Sequence, residues 1–246
     1  MRPAPAAGLA PALALAGALA AALGLSACSR PPASASYFPL ESGHQWRYEL
    51  RSEWENATTE REELTLSAQG EESLGELGKA WHRRADSGVD YWLRSDDTGT
   101  YRVASKTDID ADPTADKPPR YVLKLPLAVG TTWQASTTAY LLRRNADFPP
   151  EIRHTHKPVP MTYRIEALGE AVTTRAGAFS DCIRVKGSAA MRLFADPVVG
   201  FRDMPLETTE WYCKGVGLVK LERNEPTNRS TFLNGGTLVM ELTEWQ

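Results

Sequence analysis

Apolar and polar residues alternate in short runs along most of the chain after residue 44, and this alternation restricts the fold more than any other feature. Met161, Tyr163 and Ile165 share one side of an extended chain, while Thr162 and Arg164 share the other. Successive side chains of a β-strand point to opposite faces, so such runs predict strands with one buried and one solvated face. This arrangement is typical of an antiparallel sheet.

The alternation recurs often enough to predict about twelve strands in the region 37–246. One run, 59–69, has acidic and leucine residues that would also fit a helix, and we assign it to a strand. A sheet of about twelve strands must curl or split into packed sheets. We therefore predict an all-β domain with a strongly curved antiparallel sheet, an open barrel or a sandwich.

The pattern PLxxGxxW occurs twice, and it raises the question whether it is a site or a structural joint. Proline ends a strand, glycine permits a tight turn, and tryptophan can begin the next strand as a large core side chain. We interpret it as a repeated structural turn motif. Its positions are Pro39, Gly43 and Trp46 in the first copy and Pro126, Gly130 and Trp133 in the second.

A second pattern follows each copy in the same order: DYWLR then GTYRV in the first case, and EWYCK then GLVKL in the second. The shared order indicates two similar β halves, at 37–107 and 121–223. An NGG sequence between the last two apolar runs is a turn signal, so 228–246 is predicted to be a closing hairpin.

The first 28 residues differ from the rest of the chain. Arg2 precedes an uncharged run rich in alanine and leucine at about 6–25, which predicts a secretory signal peptide over 1–27. An uncleaved transmembrane anchor is the alternative, because the run is about long enough to cross a bilayer.

The residues LSAC at 25–28 resemble the lipobox of bacterial lipoproteins. The resemblance implies that 1–27 is removed and that Cys28 carries the lipid, including palmitate-type acyl chains. Ser29 then implies sorting to the outer membrane, with the protein facing the periplasm. Residues 28–36 would form a lipidated, flexible tether to the membrane.

Only Cys182 and Cys213 remain once Cys28 is assigned to the lipid. In an oxidising compartment a disulfide between them is favoured, and it would stabilise the fold by about 3 to 4 kcal/mol. Two buried free thiols, or one reactive cysteine, are the alternatives.

Three stretches, at 37–48, 177–185 and 211–220, resemble the recurring motifs of TapB-like bacterial envelope proteins. The resemblance implies an all-β secreted or lipid-anchored domain and no established chemistry. The family pattern has small residues or proline where this chain has Cys213 and Lys214. That departure argues against a family-wide role for Cys213 and favours a local disulfide with Cys182.

The sequence shows no assembled catalytic or metal motif. GxSxG and HExxH are absent, and His154 and His156 supply only two of the ligands that a zinc site needs. The mild net charge of −3 argues against nucleic-acid binding. We predict no cofactor, no metal and a non-catalytic binding or scaffolding role, with an envelope protein or an apolar ligand as partner.

Aromatic side chains are the candidate contacts for such a partner, because they can line an apolar cavity or an interface. We select Tyr91, Trp92 and Trp211, although rings that simply fill the curved sheet are an alternative. The competing function is an envelope hydrolase. Its residues would lie on three segments predicted to be irregular: 108–120, 143–160 and 187–206.

Overall fold

The alternating runs form β-strands and one short 3-10 helix in a computed structural model that describes residues 35–144, 157–228 and 230–246. The segment 1–34, which includes Cys28, and the pair His154 and His156 lie outside the described residues. The first six strands are β1 (Gln45–Trp54), β2 (Thr59–Ser73), β3 (Lys79–Ala85), β4 (Val89–Asp96), β5 (Gly99–Thr107) and β6 (Thr114–Lys124), with the 3-10 helix Gly75–Leu77 between β2 and β3.

The remaining described strands come next along the chain, and two of them are very short. They are β7 (Thr132–Thr137), β8 (Arg143–Arg144), β9 (Val159–Thr174), β10 (Gly177–Asp196), β11 (Gly200–Cys213), β12 (Gly217–Glu225), β13 (Leu233–Asn234) and β14 (Gly236–Trp245).

Twelve strands form one antiparallel sheet in the order β6-β5-β4-β3-β2-β1-β14-β12-β11-β10-β9-β7. The sheet curves until it is nearly closed into a barrel, and its edge strands β6 and β7 lie next to each other. Across this seam Arg120 Nε donates a hydrogen bond to the Ser136 carbonyl oxygen at 3.0 Å. The prediction of an all-β, strongly curved antiparallel sheet is confirmed.

The strand order divides the sheet into two meanders of six strands, β1 to β6 and the series β7, β9, β10, β11, β12 and β14. PLxxGxxW precedes the first strand of each meander, and the aromatic patterns DYWLR and EWYC fall on the fourth strand of each. The order of motifs therefore matches the order of strands in both meanders. An internal duplication stays a prediction.

The two PLxxGxxW segments have the same backbone conformation at their glycines. Gly43 has φ +93° and Gly130 has φ +96°, and a Cβ at either position would meet no atom within 4 Å. Glycine is required there by the turn and not by crowding. Trp46 and Trp133 are 1% and 6% exposed, so each turn is followed by a buried ring.

The segment 35–40 crosses one end of the barrel before β1 begins. Gly215 N donates to the Ser36 carbonyl oxygen at 2.8 Å, and the Tyr37 hydroxyl donates to Asp181 at 2.5 Å. Phe38 lies in the main apolar core. These contacts tie the start of the described chain to β10 and to the turn between β11 and β12.

The prediction that 187–206 is an irregular segment is wrong. Residues 189–196 and 200–206 extend β10 and β11 beyond their other neighbours and, among the described residues, pair only with each other. Met191, Ala195 and Met204 on this ribbon are buried in the core, whereas Phe194 and Phe201 are exposed. Because both faces of this ribbon carry apolar residues, its sequence does not show the alternation that predicts a strand.

The segment 108–120 is also more regular than predicted, because Thr114–Lys124 is the strand β6. Pro118 and Pro119 can occupy this strand because β6 is at the edge of the sheet, where a missing N–H breaks no ladder. In the third segment, 143–160, residues 143–144 and 159–160 belong to strands and 145–156 lie outside the described residues.

The predicted closing hairpin at 228–246 is wrong as well. β13 pairs with β8, and β14 pairs with β1 and β12. A Cβ at Gly235 would lie 2.0 Å from the Glu225 carbonyl oxygen, and one at Gly236 would lie 2.4 Å from that of Glu53. These glycines permit a close approach of backbones instead of a tight turn.

Cys182 and Cys213 face each other across β10 and β11 and form a disulfide with a Cα–Cα distance of 4.0 Å. Both residues are buried in a core cluster with Trp46 and Leu242. The bond joins the two strands near the end of the barrel that the segment 35–40 crosses.

Candidate functional site

A partly open cavity of about 550 Å³ lies within the curve of the sheet and is lined mainly by the first meander. Strands β1 to β7 and β12 contribute side chains to its wall. Its apolar lining comes from Phe38, Leu66, Leu93, Val122 and Leu218. The cavity volume falls within the range of about 300 to 1,000 Å³ that is usual for small-molecule sites.

Arg83 on β3 is a buried cation in the wall of this cavity and is only 7% exposed. Its guanidinium lies 4.3 Å from the ring centre of Phe38 and 4.2 Å from that of Trp46, and Nη2 donates to the Pro39 carbonyl oxygen at 2.7 Å. Burial lowers the pKa of Arg83 to about 10. The group therefore stays protonated at neutral pH while being held away from water.

Two further arginines line the cavity, and they differ in their partners. Arg102 makes a bidentate pair with Asp116, with distances of 2.6 and 2.8 Å. Arg120 instead donates to the Ser136 carbonyl and, at 3.4 Å, to the Tyr163 hydroxyl. Within the part of the chain that the structure describes, no carboxylate oxygen lies within 4.0 Å of Arg83 or Arg120.

Tyrosine hydroxyl groups add polar atoms to the site. Tyr48, Tyr91 and Tyr140 line the cavity, and the Tyr48 hydroxyl donates to the Leu218 carbonyl oxygen at 2.9 Å. Burial raises the pKa of both Tyr48 and Tyr91. These phenols therefore remain neutral donors at physiological pH.

A buried carboxylate fixes the wall segment 138–142. Glu225 on β12 is fully buried and accepts hydrogen bonds from the backbone amides of Tyr140, Leu141 and Leu142 at 2.8 to 3.1 Å. Arg223 donates to the same carboxylate and, at 2.6 Å, to the Thr138 carbonyl oxygen. This pair holds Tyr140 in position on the cavity.

Glu210 on β11 is the acidic group that acts electrostatically on Arg120. Burial raises the pKa of Glu210, although the Tyr212 hydroxyl and the charges of Arg120 and Arg223 act in the opposite direction. The Tyr212 hydroxyl donates to its carboxylate. Burial lowers the pKa of Arg120, but its interactions with Tyr163 and Glu210 outweigh burial and raise that pKa overall. Glu210 therefore balances part of the Arg120 charge without forming an ion pair.

The structure places the three predicted aromatic contacts in different environments. Tyr91 lines the cavity, but Trp92 points to the other side of β4, where it stacks on His82 and its indole N–H donates to Glu72. Trp211 donates to Glu170 at 3.0 Å and does not line the cavity. A partner contact by the two tryptophans stays a prediction.

Sequence reasoning missed Arg83 and Arg120, although a signal for Arg83 was present. By alternation it shares a face of β3 with Trp81 and Ala85, so a cation interrupts an otherwise apolar row. A charged residue in a core row is unusual unless it has a specific partner. Arg120 follows two prolines, and the interpretation of that segment as a loop concealed its strand position.

In the described ranges, no group of at least three His, Cys, Asp or Glu side chains is arranged to hold a metal ion. Over the same ranges, no helix has the length and hydropathy needed to cross a bilayer.

Comparisons with known proteins identify distant likenesses only. No family model and no curated protein matches the chain. One similar crystal structure is a candidate lipoprotein of Parabacteroides distasonis ATCC 8503, with 14% identity over 87% of this chain and 99% of that chain and a TM-score of 0.36. Another is a candidate exported protein with a YmcC-like fold from Bacteroides fragilis NCTC 9343, with 16% identity over 86% of this chain and 99% of that one and a TM-score of 0.37. These likenesses are too distant to assign a function, and the resemblance to TapB-like proteins stays a prediction.

Proposed function

We propose that this protein is a lipid-anchored, periplasm-facing envelope protein that binds a small amphipathic molecule inside its curved sheet and does not act as a catalyst. The observation that carries the proposal is the cavity of about 550 Å³ and its mixed lining. Apolar side chains from several strands would surround an apolar tail, while the tyrosine hydroxyls and arginines would contact a polar head.

The envelope location rests on the sequence. The LSAC pattern at 25–28 would place a lipid on Cys28, and several acyl chains on one residue are enough for stable anchoring. Mass spectrometry of the mature protein tests this part: we expect an N-terminal acylated Cys28. An unmodified Cys28, or an uncleaved segment 1–27, would refute the anchor. Fractionation of inner and outer membranes would test the sorting that Ser29 implies.

Binding can be tested with the neutral fluorescent dye N-phenyl-1-naphthylamine, whose emission rises in apolar sites. The assay would use the chain from Ser29 onward, secreted to the periplasm so that the disulfide forms. Every strand of the described part lies after that point. We expect saturable binding of one dye per chain, with the stoichiometry checked by native mass spectrometry.

A pair of matched variants locates the binding site. Val122→Trp would fill the cavity and abolish most dye binding, because Val122 is part of the wall. Val239→Trp makes the same substitution at a half-buried position on β14 that does not line the cavity, so it should leave binding unchanged. Absence of saturable dye binding by the unsubstituted protein, or equal loss in the two variants, would refute the proposed function.

A further inference from the structure

The arginines of the barrel interior fall into two classes. Arg102 and Arg223 each pair with a carboxylate of the protein, Asp116 and Glu225. Arg83 and Arg120 have no carboxylate within 4.0 Å among the residues that the structure describes. Both nevertheless line the same cavity.

A buried cation without an ion partner is costly, and proteins usually pair such a charge or use it for binding. The aromatic rings on Arg83 and the carbonyls on both arginines supply part of the lost hydration. They use only some of the N–H donors that each guanidinium carries, since arginine has five. Both arginines line a cavity whose other lining combines apolar side chains with hydroxyl groups and the Arg102–Asp116 pair.

Among the described residues, the carboxylates nearest the two arginines already have partners. Both carboxylate oxygens of Asp116 already accept hydrogen bonds from Arg102. Glu225 is engaged by Arg223 and by three backbone amides. Glu210 acts on Arg120 from beyond ion-pair distance, and its carboxylate accepts a hydrogen bond from the Tyr212 hydroxyl.

We infer that the cavity selects molecules with an anionic head group, a carboxylate or a phosphate, on an apolar tail, and that Arg83 and Arg120 supply the positive charge for that head. This inference rests on the proposed function, because it assumes that the cavity is a binding site. A guanidinium donates two parallel hydrogen bonds to either kind of head group. The apolar residues of the first meander would surround the tail.

The test compares three competitors of equal tail length for their ability to displace N-phenyl-1-naphthylamine. They are dodecanoate, dodecyl phosphate and the neutral dodecanol. We expect at least one anion to displace the dye at a concentration about tenfold to a hundredfold lower than dodecanol, as expected for hydrogen bonds to a charged group. The anion with the lower midpoint identifies the head group.

Variants then assign the preference to the two arginines. Arg120→Gln removes a half-buried charge at the seam, and Arg83→Met replaces a buried charge by an unbranched apolar side chain. Each should lower the preference for the anion over dodecanol about tenfold, with both midpoints measured on the same variant. Arg47→Gln, which removes an exposed arginine paired with Glu244, is the control and should keep the full preference.

The outcomes separate the two proposals. If the dye binds but all three competitors displace it equally, the head-group inference is wrong and the binding function stands. If the anions are preferred but neither arginine variant reduces the preference, the assignment to Arg83 and Arg120 is wrong. If the dye does not bind at all, the proposed function itself fails. The comparison of competitors uses the unsubstituted protein, so it holds even if Arg83→Met does not fold.

Discussion

Replacing Glu225 by glutamine tests whether its carboxylate organises the cavity wall. The carboxylate accepts from three consecutive amides and from Arg223, and it is fully buried. In Glu225→Gln, one oxygen becomes an NH₂ group, which would face at least one of these donors. Arg223 would also lose its ion partner inside the protein, where the pair is almost entirely screened from water.

Glu225→Gln should lower the free energy of unfolding by a large part of the stability of a typical domain. Removing one member of a buried ion pair costs about 3 to 5 kcal/mol, and whole domains are stable by about 5 to 15 kcal/mol. With a urea m-value of about 1 to 3 kcal/mol per molar, the midpoint should fall by at least about 1 M. Urea titration followed by tryptophan fluorescence measures this shift.

Glu222→Gln provides the matched control on the same strand. Glu222 pairs with Lys220 at 2.8 Å, but its side chain is 47% exposed. Exposed pairs contribute about 0 to 1 kcal/mol, so this substitution should barely move the midpoint. The alternative result is that both substitutions lower the free energy of unfolding equally and by less than about 1 kcal/mol. That result would refute the proposal that Glu225 holds the cavity wall in place.

Three further outcomes are expected. Replacing both Cys182 and Cys213 by alanine should lower the free energy of unfolding by about 3 to 4 kcal/mol, and a reductant should then have no additional effect on the urea midpoint. Gly43→Ala should cost about 1 kcal/mol, because φ of +93° strains a side chain although no neighbour crowds it; an unchanged midpoint would contradict the turn role. The pKa of Asp96 is lowered to about 2 by the Thr98 and Tyr101 hydroxyls and the Thr98 amide, so its contribution to stability is present above its ordinary pKa of 3.8 and lost as the pH falls toward 2. Thr98→Ala should raise that pKa in an NMR titration, and an unchanged titration would disprove the hydroxyl contribution.

Alternation was a reliable guide wherever a strand has one buried and one solvated face. In β9, Met161, Tyr163 and Ile165 are buried and the intervening residues are exposed, as predicted. The same rule fails for the β10–β11 ribbon, where Met191 and Met204 face the core but Phe194 and Phe201 are exposed. Hydrophobicity alone does not tell which apolar residues of such a ribbon are buried.

Two local predictions, from the glycines of NGG and from the prolines of β6, are wrong for the same reason. Each of these residue types occurs in more than one structural context. The NGG sequence predicts a turn, whereas Gly235 and Gly236 allow backbones from distant strands to approach. The prolines of β6 predict a loop, whereas the position of β6 at the edge of the sheet tolerates them. These uses depend on tertiary neighbours, which the local sequence does not contain.

The candidate site was less predictable than the fold. The aromatic ring of Tyr91 identifies it as a candidate contact, but the charged residues of the cavity come from separate strands. Arg83 and Arg120 approach one cavity only because the sheet curves back on itself. Local patterns place a residue on a face of a strand, but the curvature decides which faces meet.

The pairing of the first strand with the last has a consequence for biogenesis. β1 lies between β2 and β14, so one of its two neighbours is synthesised after all the other described strands. Until then β1 and β12 each present an unpaired strand edge, which is a template for pairing with other chains. A chaperone that shields these edges would protect the chain until β14 is made. Translation that stops before Gly236 would leave both edges open in the middle of the sheet.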